Sequence, residues 1–371
     1  MRKSIVPWLL GLLVLLISCT KKTDDTLVMG NQNNGAGLIR NAFTVIPFDT
    51  IDITALVPLG NLNPPAHTFP TDHMYFYCFT NLASLNIKSP GNVTIFRITR
   101  IRYDAGAPNE RVDYSIAMGS DKSYLYWSHV SQLSPRLLAA VNNFATAKCE
   151  KPYATGGTYF EPCYQELSLT ATPGEVLGIA KTKNGLAGID FGAVVNGTGT
   201  NPLDFFDASA RAQLEPKLGR FDGKVKRTIL PLYGESMQDI LTTAMGNWYR
   251  QGMARQPEDN HIALVKDNID PTKQAFSVGN NQKGLPSGVY YFNPENSGYI
   301  NRHFAEVKAD GNTYCYTLGI PNFPFPGNSL IPSTSIIIRM ENGTTLSLEK
   351  RNCDCSCAPY LFSANKATFT R

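Results

Sequence analysis

Charge is scarce in this chain: of its 371 residues only 17% are Asp, Glu, Lys or Arg. Lys and Arg do not gather into a basic face, so nothing points to nucleic acid as a partner. No Gly-x-Gly-x-x-Gly follows a strand pattern, and neither a Walker loop nor a Gly-x-Ser-x-Gly elbow occurs. Dinucleotide binding, P-loop phosphate chemistry and the α/β-hydrolase mechanism are thereby set aside. The 30 glycines follow no strict period, which excludes a collagen, and no internal repeat is evident. What is present is apolar and aromatic. Hydrophobic residues make up 43% and aromatic residues 11% of the chain, too much for a disordered polymer. A length of 371 residues allows two domains, each with a core of its own. Low charge with many Tyr, Phe, Thr, Val and Ile predicts a β-rich fold.

The first residues carry an address. Arg2 and Lys3 precede an apolar run of thirteen residues, 5–17, which is too short to span a bilayer comfortably and fits the core of a signal peptide. The run ends in Leu16-Ile17-Ser18-Cys19, which resembles the lipobox of bacterial lipoproteins. That resemblance implies a signal peptide over 1–18, cleavage before Cys19 and acylation of its thiol. A plain secretory signal or an uncleaved anchor is the alternative. Residues 19–40 are polar, lack a hydrophobic period and read as a tether. Several acyl chains hold far more firmly than one, so the implied partner is a membrane, reached through lipidated Cys19. The implied location is the extracytoplasmic side of the cell membrane or the outer membrane. Arg2 and Lys3 are two of the 34 basic residues, so without them 32 stand against 30 acidic ones, close to neutral.

Export permits disulfides. Of eight cysteines, seven remain beside Cys19, and Cys149 with Cys163 bracket a Pro/Gly-rich loop that a bridge would staple. Cys353-x-Cys355-x-Cys357 matches no common zinc module, and it reads as a disulfide cluster, with a soft-metal site as the alternative. Seven is odd, and Cys78, inside an aromatic strand, is the expected buried free thiol.

The pattern along the chain divides in two. From 41 to 196 short strands bounded by Gly, Pro or Asn are expected at 43–48, 71–80, 92–102, 112–118, 122–128 and 186–195. Ser134 as cap and Pro135 at the first helical position predict one helix through 136–144. Asn196-Gly-Thr-Gly-Thr-Asn201 has linker composition. The second unit, 202–371, begins with a mixed segment, helical near 207–218 and 235–244. Strands follow at 262–266, 275–278, 289–292, 314–318, 335–340 and 345–349. Their spacing suggests an antiparallel barrel or sandwich.

Histidine is rare, with five in the chain, and His67, His73 and His129 all fall in the first unit. Because a strand has period two, Met74, Phe76 and Cys78 share the face of Asp72, and His73 shares the other with Tyr75 and Tyr77. The first set is the better core, which leaves His73 in a groove. The same parity buries Ile189 and Phe191 and turns Asp190 outward. His129 closes the strand Tyr124-Leu-Tyr-Trp-Ser128.

His67-Thr-Phe-Pro-Thr-Asp72-His73, Ser89-Pro-Gly-Asn-Val-Thr-Ile95, Tyr126-Trp-Ser-His129, Pro173-Gly-Glu-Val-Leu-Gly178 and Gly188-Ile-Asp-Phe-Gly192 follow in an order that resembles the lysostaphin-type zinc endopeptidases. The resemblance covers residues 41–196. It implies a duplicated-hybrid-motif β barrel or sandwich, zinc as cofactor and peptidoglycan as substrate. In that family a His-x-x-x-Asp pair and the last His of His-x-His hold the metal, and a Tyr-x-His strand supplies a catalytic His. Here four residues separate His67 from Asp72 where the family has three, and Gly188-x-Asp190 replaces His-x-His. A zinc site with an open water position can still be drawn from His67, His73 and Asp190, with Asp72 as the alternative to His73 and His129 as the catalytic residue. The competing expectation is a degenerate relative whose groove only binds.

In the second unit Gly246-x-Trp248 resembles the first-strand signature of lipocalins, with Lys350 and Arg351 as the basic residues expected over the Trp ring. The alternative is a β-sandwich with Trp248 in its core. Glu235, Asp239, Glu258, Asp259 and His261 fit no metal template and read as solvated surface, as does Asn301-Arg302-His303-Phe304. The expectation is therefore a mainly β lipoprotein of the cell envelope, an N-terminal duplicated-hybrid-motif domain followed by a C-terminal antiparallel β-barrel-like domain with a few short helices. Its function is that of a peptidoglycan metalloendopeptidase relative, diverged at the zinc site, or of a non-enzymatic protein binding glycan, peptidoglycan or a small apolar ligand.

Overall fold

The computed structural model describes residues 38–280, 282, 284–319 and 330–371. The signal peptide 1–18, Cys19 and most of the tether lie outside the described residues. Among those described, no helix is long and apolar enough to cross a membrane.

The protein is mainly β. Its first body holds β1 (Ala55–Val57), β2 (His73–Phe79), β3 (Ser84–Lys88), β4 (Val93–Tyr103), β5 (Arg111–Gly119) and β6 (Ser123–Val130). It continues with β7 (Gln132–Leu133), β8 (Lys148–Cys149), β9 (Tyr153–Thr155), β10 (Thr158–Ala171), β11 (Val176–Lys181), β12 (Leu186–Val195) and β13 (Thr198–Thr200). A ten-stranded antiparallel sheet runs in the order β1-β2-β12-β6-β5-β4-β10-β8, with β13 beside β12 and β9 beside β10. A small second sheet has the order β3-β11-β7. Cys149 and Cys163 face each other across β8 and β10 and are joined as a disulfide.

The second body holds β14 (Gly246–Arg250), β15 (Ile262–Lys266), β16 (Gln274–Val278), β17 (Gly288–Phe292), β18 (Tyr314–Gly319), β19 (Leu330–Asn342), β20 (Thr345–Arg351) and β21 (Ala367–Thr370). They form one antiparallel sheet in the order β17-β16-β15-β14-β21-β20-β19-β18. Its first and last strands in sequence pair with each other, and the edge strands β17 and β18 lie in contact. The sheet is thus a nearly closed barrel, and a sandwich is ruled out.

Alternation decides what enters the barrel. Ile262, Leu264, Phe276, Val278, Tyr290 and Phe292 point into the lumen. Ala263, Val265 and Ala275 point outward and pack on Leu62 and Phe69 of the first body. The lumen is filled by rings: Phe276, Phe292, Phe304 and Tyr316 have centroids 4.9–5.9 Å apart. Trp248 is fully buried at its edge and donates its indole N–H to Ala244 O at 2.8 Å. The cation over Trp248 is Arg371, 4.1 Å from the ring, and not Lys350 or Arg351, because β21 and not β20 neighbours β14. Arg371 also donates to the carbonyls of Ile240, Thr243 and Met245.

Three local expectations are corrected. The linker-like stretch 196–201 is a hairpin, with Asn196 and Gly197 at φ 52° and 77° returning the chain as β13 along β12. Its Gly/Asn/Thr composition suits a turn as well as a linker. Helix α2 (Ala208–Leu214) follows, and Phe205, Phe206, Leu214 and Leu218 enter the first core, which therefore reaches past 196. Glu235–Ala244 forms no helix. Its polar side chains serve the barrel edge instead: Gln238 Oε1 accepts from Lys266 N at 2.8 Å and Asp239 Oδ1 from Asn247 N at 3.0 Å. Helix α1 (Pro135–Ala140) starts on the Ser134 cap, as expected, but stops before Asn142 and Asn143, whose φ angles of 43° and 49° leave the helical range.

Candidate functional site

Three adjacent strands, β2, β12 and β6, build the site. His73 lies opposite Gly192, and Asp190 lies between Tyr75 and Ser128. Met74, Phe76, Cys78, Ile189 and Phe191 are buried in the core, so parity sends His73, Tyr75 and Asp190 to the outer face. The free thiol Cys78 is buried. His129 follows no simple parity. Tyr114 pairs with Val130 and Ile116 with Trp127, so one residue of β5, Ser115, faces both Ser128 and His129. This is a β-bulge, and the His129 φ of 64° is its backbone mark. The bulge turns His129 onto the face it would otherwise miss.

The side chains converge on Asp190. Its Oδ2 lies 3.3 Å from His129 Nε2 and 3.8 Å from His73 Nε2. Each imidazole is held from behind: His73 Nδ1 is 3.1 Å from Asp72 Oδ1, and His129 Nδ1 is 2.9 Å from Asp113 Oδ2. The Tyr103 hydroxyl donates to the other Asp113 oxygen at 2.9 Å. His67 stands edge-on to His73, with ring centroids 5.7 Å apart.

Charge follows from this packing. Burial alone would lower the His129 pKa, but the Asp190 charge and the bonds to Asp113 and Asp190 outweigh it and raise it to about 10. His73 moves the same way: burial opposes the charge, and the bond to Asp72 with the Asp190 charge favours it. Asp190 is held below the usual carboxylate range, since the His129 charge overcomes the cost of burial. At neutral pH His129 is therefore an imidazolium held against the Asp190 carboxylate.

Aromatic rings wall it. Burial raises the hydroxyl pKa of Tyr75 and Tyr126 well above the ordinary value, so both stay neutral. Tyr126 lies across Gly192, where an added Cβ would meet its ring at 2.2 Å, and Tyr77 lies over Gly188, where the gap is 3.3 Å. The glycines of β12 thus let the rings flank Asp190. A groove of about 290 Å³ opens beside the cluster, lined by Asp72, Phe96, Arg97, Thr99, Ser115, Ala117, Tyr124, Tyr126 and Val194.

The second body reaches this rim. Glu258 accepts from Phe69 N at 2.8 Å and pairs with His67 Nδ1 at 3.5 Å. Asp259 accepts from Thr155 Oγ1 and from Gly156 N. His261 is wholly buried and stacks on Phe69, 5.8 Å between centroids. Glu258, Asp259 and His261 are thus interface residues and not solvated surface, because the apolar outer face of β15 and β16 is covered by the first body. In 301–304, Phe304 is in the lumen, and the buried Gln274 lies 2.6 Å from His303 Nε2.

The structure thus gathers His73, His129 and Asp190, with His67 at the rim. It pairs His67 with Glu258, and it makes Asp72 the support of His73 and not its substitute. His129 touches Asp190 directly. Among the described residues no group of three or more His, Cys, Asp or Glu is arranged to hold a metal ion. Sequence reasoning missed Asp113 and Ser115, although the alternation Val112-Asp113-Tyr114-Ser115-Ile116 carried the signal. Glu258 had none, since its role depends on how the two bodies meet. No family model, no curated protein and no solved structure matches the chain.

Proposed function

We propose that the protein is a lipid-anchored envelope protein that binds its ligand on the tyrosine-walled face of the first body, as a relative of the lysostaphin-type endopeptidases that has given up zinc hydrolysis. One observation carries this reading: His129 commits both ring nitrogens to carboxylates, Asp113 and Asp190. An imidazolium with both N–H groups engaged has no lone pair for a metal. The Asp190 charge is already balanced by the His129 imidazolium, so the cluster is complete without an ion. The groove beside it offers aromatic faces, the Arg97 cation and the hydroxyls of Thr99 and Ser115, a surface suited to soluble peptidoglycan fragments with their sugars and peptide carboxylates. The filled barrel lumen gives a small apolar ligand no support.

The test is calorimetric titration of the purified protein with soluble peptidoglycan fragments, before and after chelation. Binding that survives chelation, without turnover, supports the reading. Cleavage of the fragments that stops on chelation would overturn it.

A zinc centre is the second reading, favoured by His73 Nε2, which is buried and has no hydrogen-bond partner. Two imidazoles and a carboxylate suit zinc, and carboxylates behind both histidines would orient them as ligands. His73, His129 and Asp190 would hold the ion, which would supply an activated water. His129 would first have to lose a proton and the three side chains draw together. Zinc at one per chain in the purified protein, lost in His73→Ala, would favour this reading.

A further inference from the structure

The Cys-x-Cys-x-Cys run is resolved by the fold into two different kinds of sulfur. Cys355 is buried against Ile337, Tyr360 and Phe362 and is bonded to Cys315. Cys353 and Cys357 remain thiols, each only half-buried. The backbone between them is a turn, closed by Cys357 N donating to Asp354 O at 3.3 Å and by Ser356 N donating to Asp354 Oδ1 at 2.9 Å. Every cysteine carbonyl in the run is held by a donor from outside it. Ser335 Oγ donates to Cys353 O at 2.7 Å, Tyr360 OH to Cys355 O at 2.6 Å and Arg351 Nη2 to Cys357 O at 2.7 Å. The turn is therefore fixed, and it brings the Cys357 thiol close enough to the Cys353 side chain for the two to interact.

We propose that Cys353 and Cys357 form a second, reversible disulfide of the second body, beside Cys315–Cys355. A metal is the weaker occupant, since Cys355 is spent in its bond to Cys315 and two thiolates fall short of the four ligands a structural zinc takes. Oxidation joins the two sulfurs, releases their two protons and passes two electrons to an acceptor disulfide, which is cleaved to two thiols. Small-molecule disulfides and thiol–disulfide oxidoreductases are that class of acceptor. Reversibility follows from position. Cys315 and Cys355 are 40 residues apart and buried, whereas Cys353 and Cys357 close a very short loop at the surface, so closure opposes reduction less and a reductant reaches them directly.

The test uses the folded mature chain in glutathione buffers of graded redox poise, quenched with iodoacetamide and mapped by peptide mass spectrometry. The expected oxidised form has Cys353 and Cys357 protected from alkylation and bonded to each other. Mild reductant should open that bond while Cys315–Cys355 stays closed. Cys353→Ser should fold as the wild type does, and its lone Cys357 should take up a glutathione adduct that the wild type does not. Alkylation of both thiols in the oxidised wild type would overturn the proposal. So would Cys315 bonded to either of them, or a metal bound by the pair and lost in Cys353→Ser.

Discussion

The two bodies are both antiparallel β, and they use the period of two in opposite ways. In the barrel, the inward face carries the large rings, from Trp248 to Phe369, and the outward face is covered by the first body at β15 and β16. In the ten-stranded sheet, the inward face is equally apolar, but the outer face carries His73, His129, Asp190, Asp113 and a set of tyrosines. The barrel spends its alternation on packing, and the sheet divides it between packing and polar chemistry. Ionisable groups on the sheet face are held by one another. In the barrel a fully enclosed carboxylate such as Asp267 is held by backbone amides, Ile269 N at 2.9 Å and Asp270 N at 2.6 Å.

The contrast can be broken most directly in the lumen. Phe276→Ala removes a ring that touches three others, so a loss of about 3–5 kcal/mol in denaturant unfolding is expected. A loss below about 1 kcal/mol would mean that the lumen collapses easily and is not a packed core. Smaller is the effect of Asp190→Asn, which leaves two imidazoles facing a neutral amide. It should cost about 1–3 kcal/mol and lower the His129 pKa, followed by NMR titration of the imidazole.

Acidity should then separate the bodies by pH window, since both contributions fade as pH rises but over different intervals. The His129 pKa rises from 6.5 to about 10 on folding, so its contribution is complete below pH 6.5 and fades as pH climbs towards 10. His129→Gln should flatten the alkaline limb of stability against pH. Asp267 rises from 3.8 to about 6 because burial disfavours its charge, so its contribution is present below pH 3.8 and is lost as pH passes 6. Asp267→Asn should flatten the slope between those values, and an unchanged slope would remove Asp267 from the account. The smallest change in stability is expected for Tyr124→Ala on the groove wall, about 1 kcal/mol in denaturant unfolding. If the groove binds peptidoglycan fragments, calorimetry should nevertheless show their affinity falling severalfold.

Much of the site was legible in the chain because strand parity is a local rule. His73 away from Met74 and Phe76, and Asp190 away from Ile189 and Phe191, needed only alternation along β2 and β12. The place of His129 was not legible, because a bulge depends on how β5 and β6 slip past each other. The pairing of His67 with Glu258 was not legible either, because it joins residues of different bodies. The barrel strands from 262 to 349 stood out through regular spacing. The long strand β10 did not, since Pro162 and its alternating polar residues conceal it and its pairing with β4 comes from the far side of two hairpins.

Composition and alternation alone determined that the chain is mainly β, that it has two cores, and which face of each central strand is apolar, because burial of apolar surface acts on every residue through its immediate neighbours. Which charges meet was left to the assembled fold. Asp190 binds two imidazoles, Arg371 covers Trp248 and Cys355 finds Cys315 only because strand order and sheet closure bring distant segments within reach, and no local pattern encodes that order.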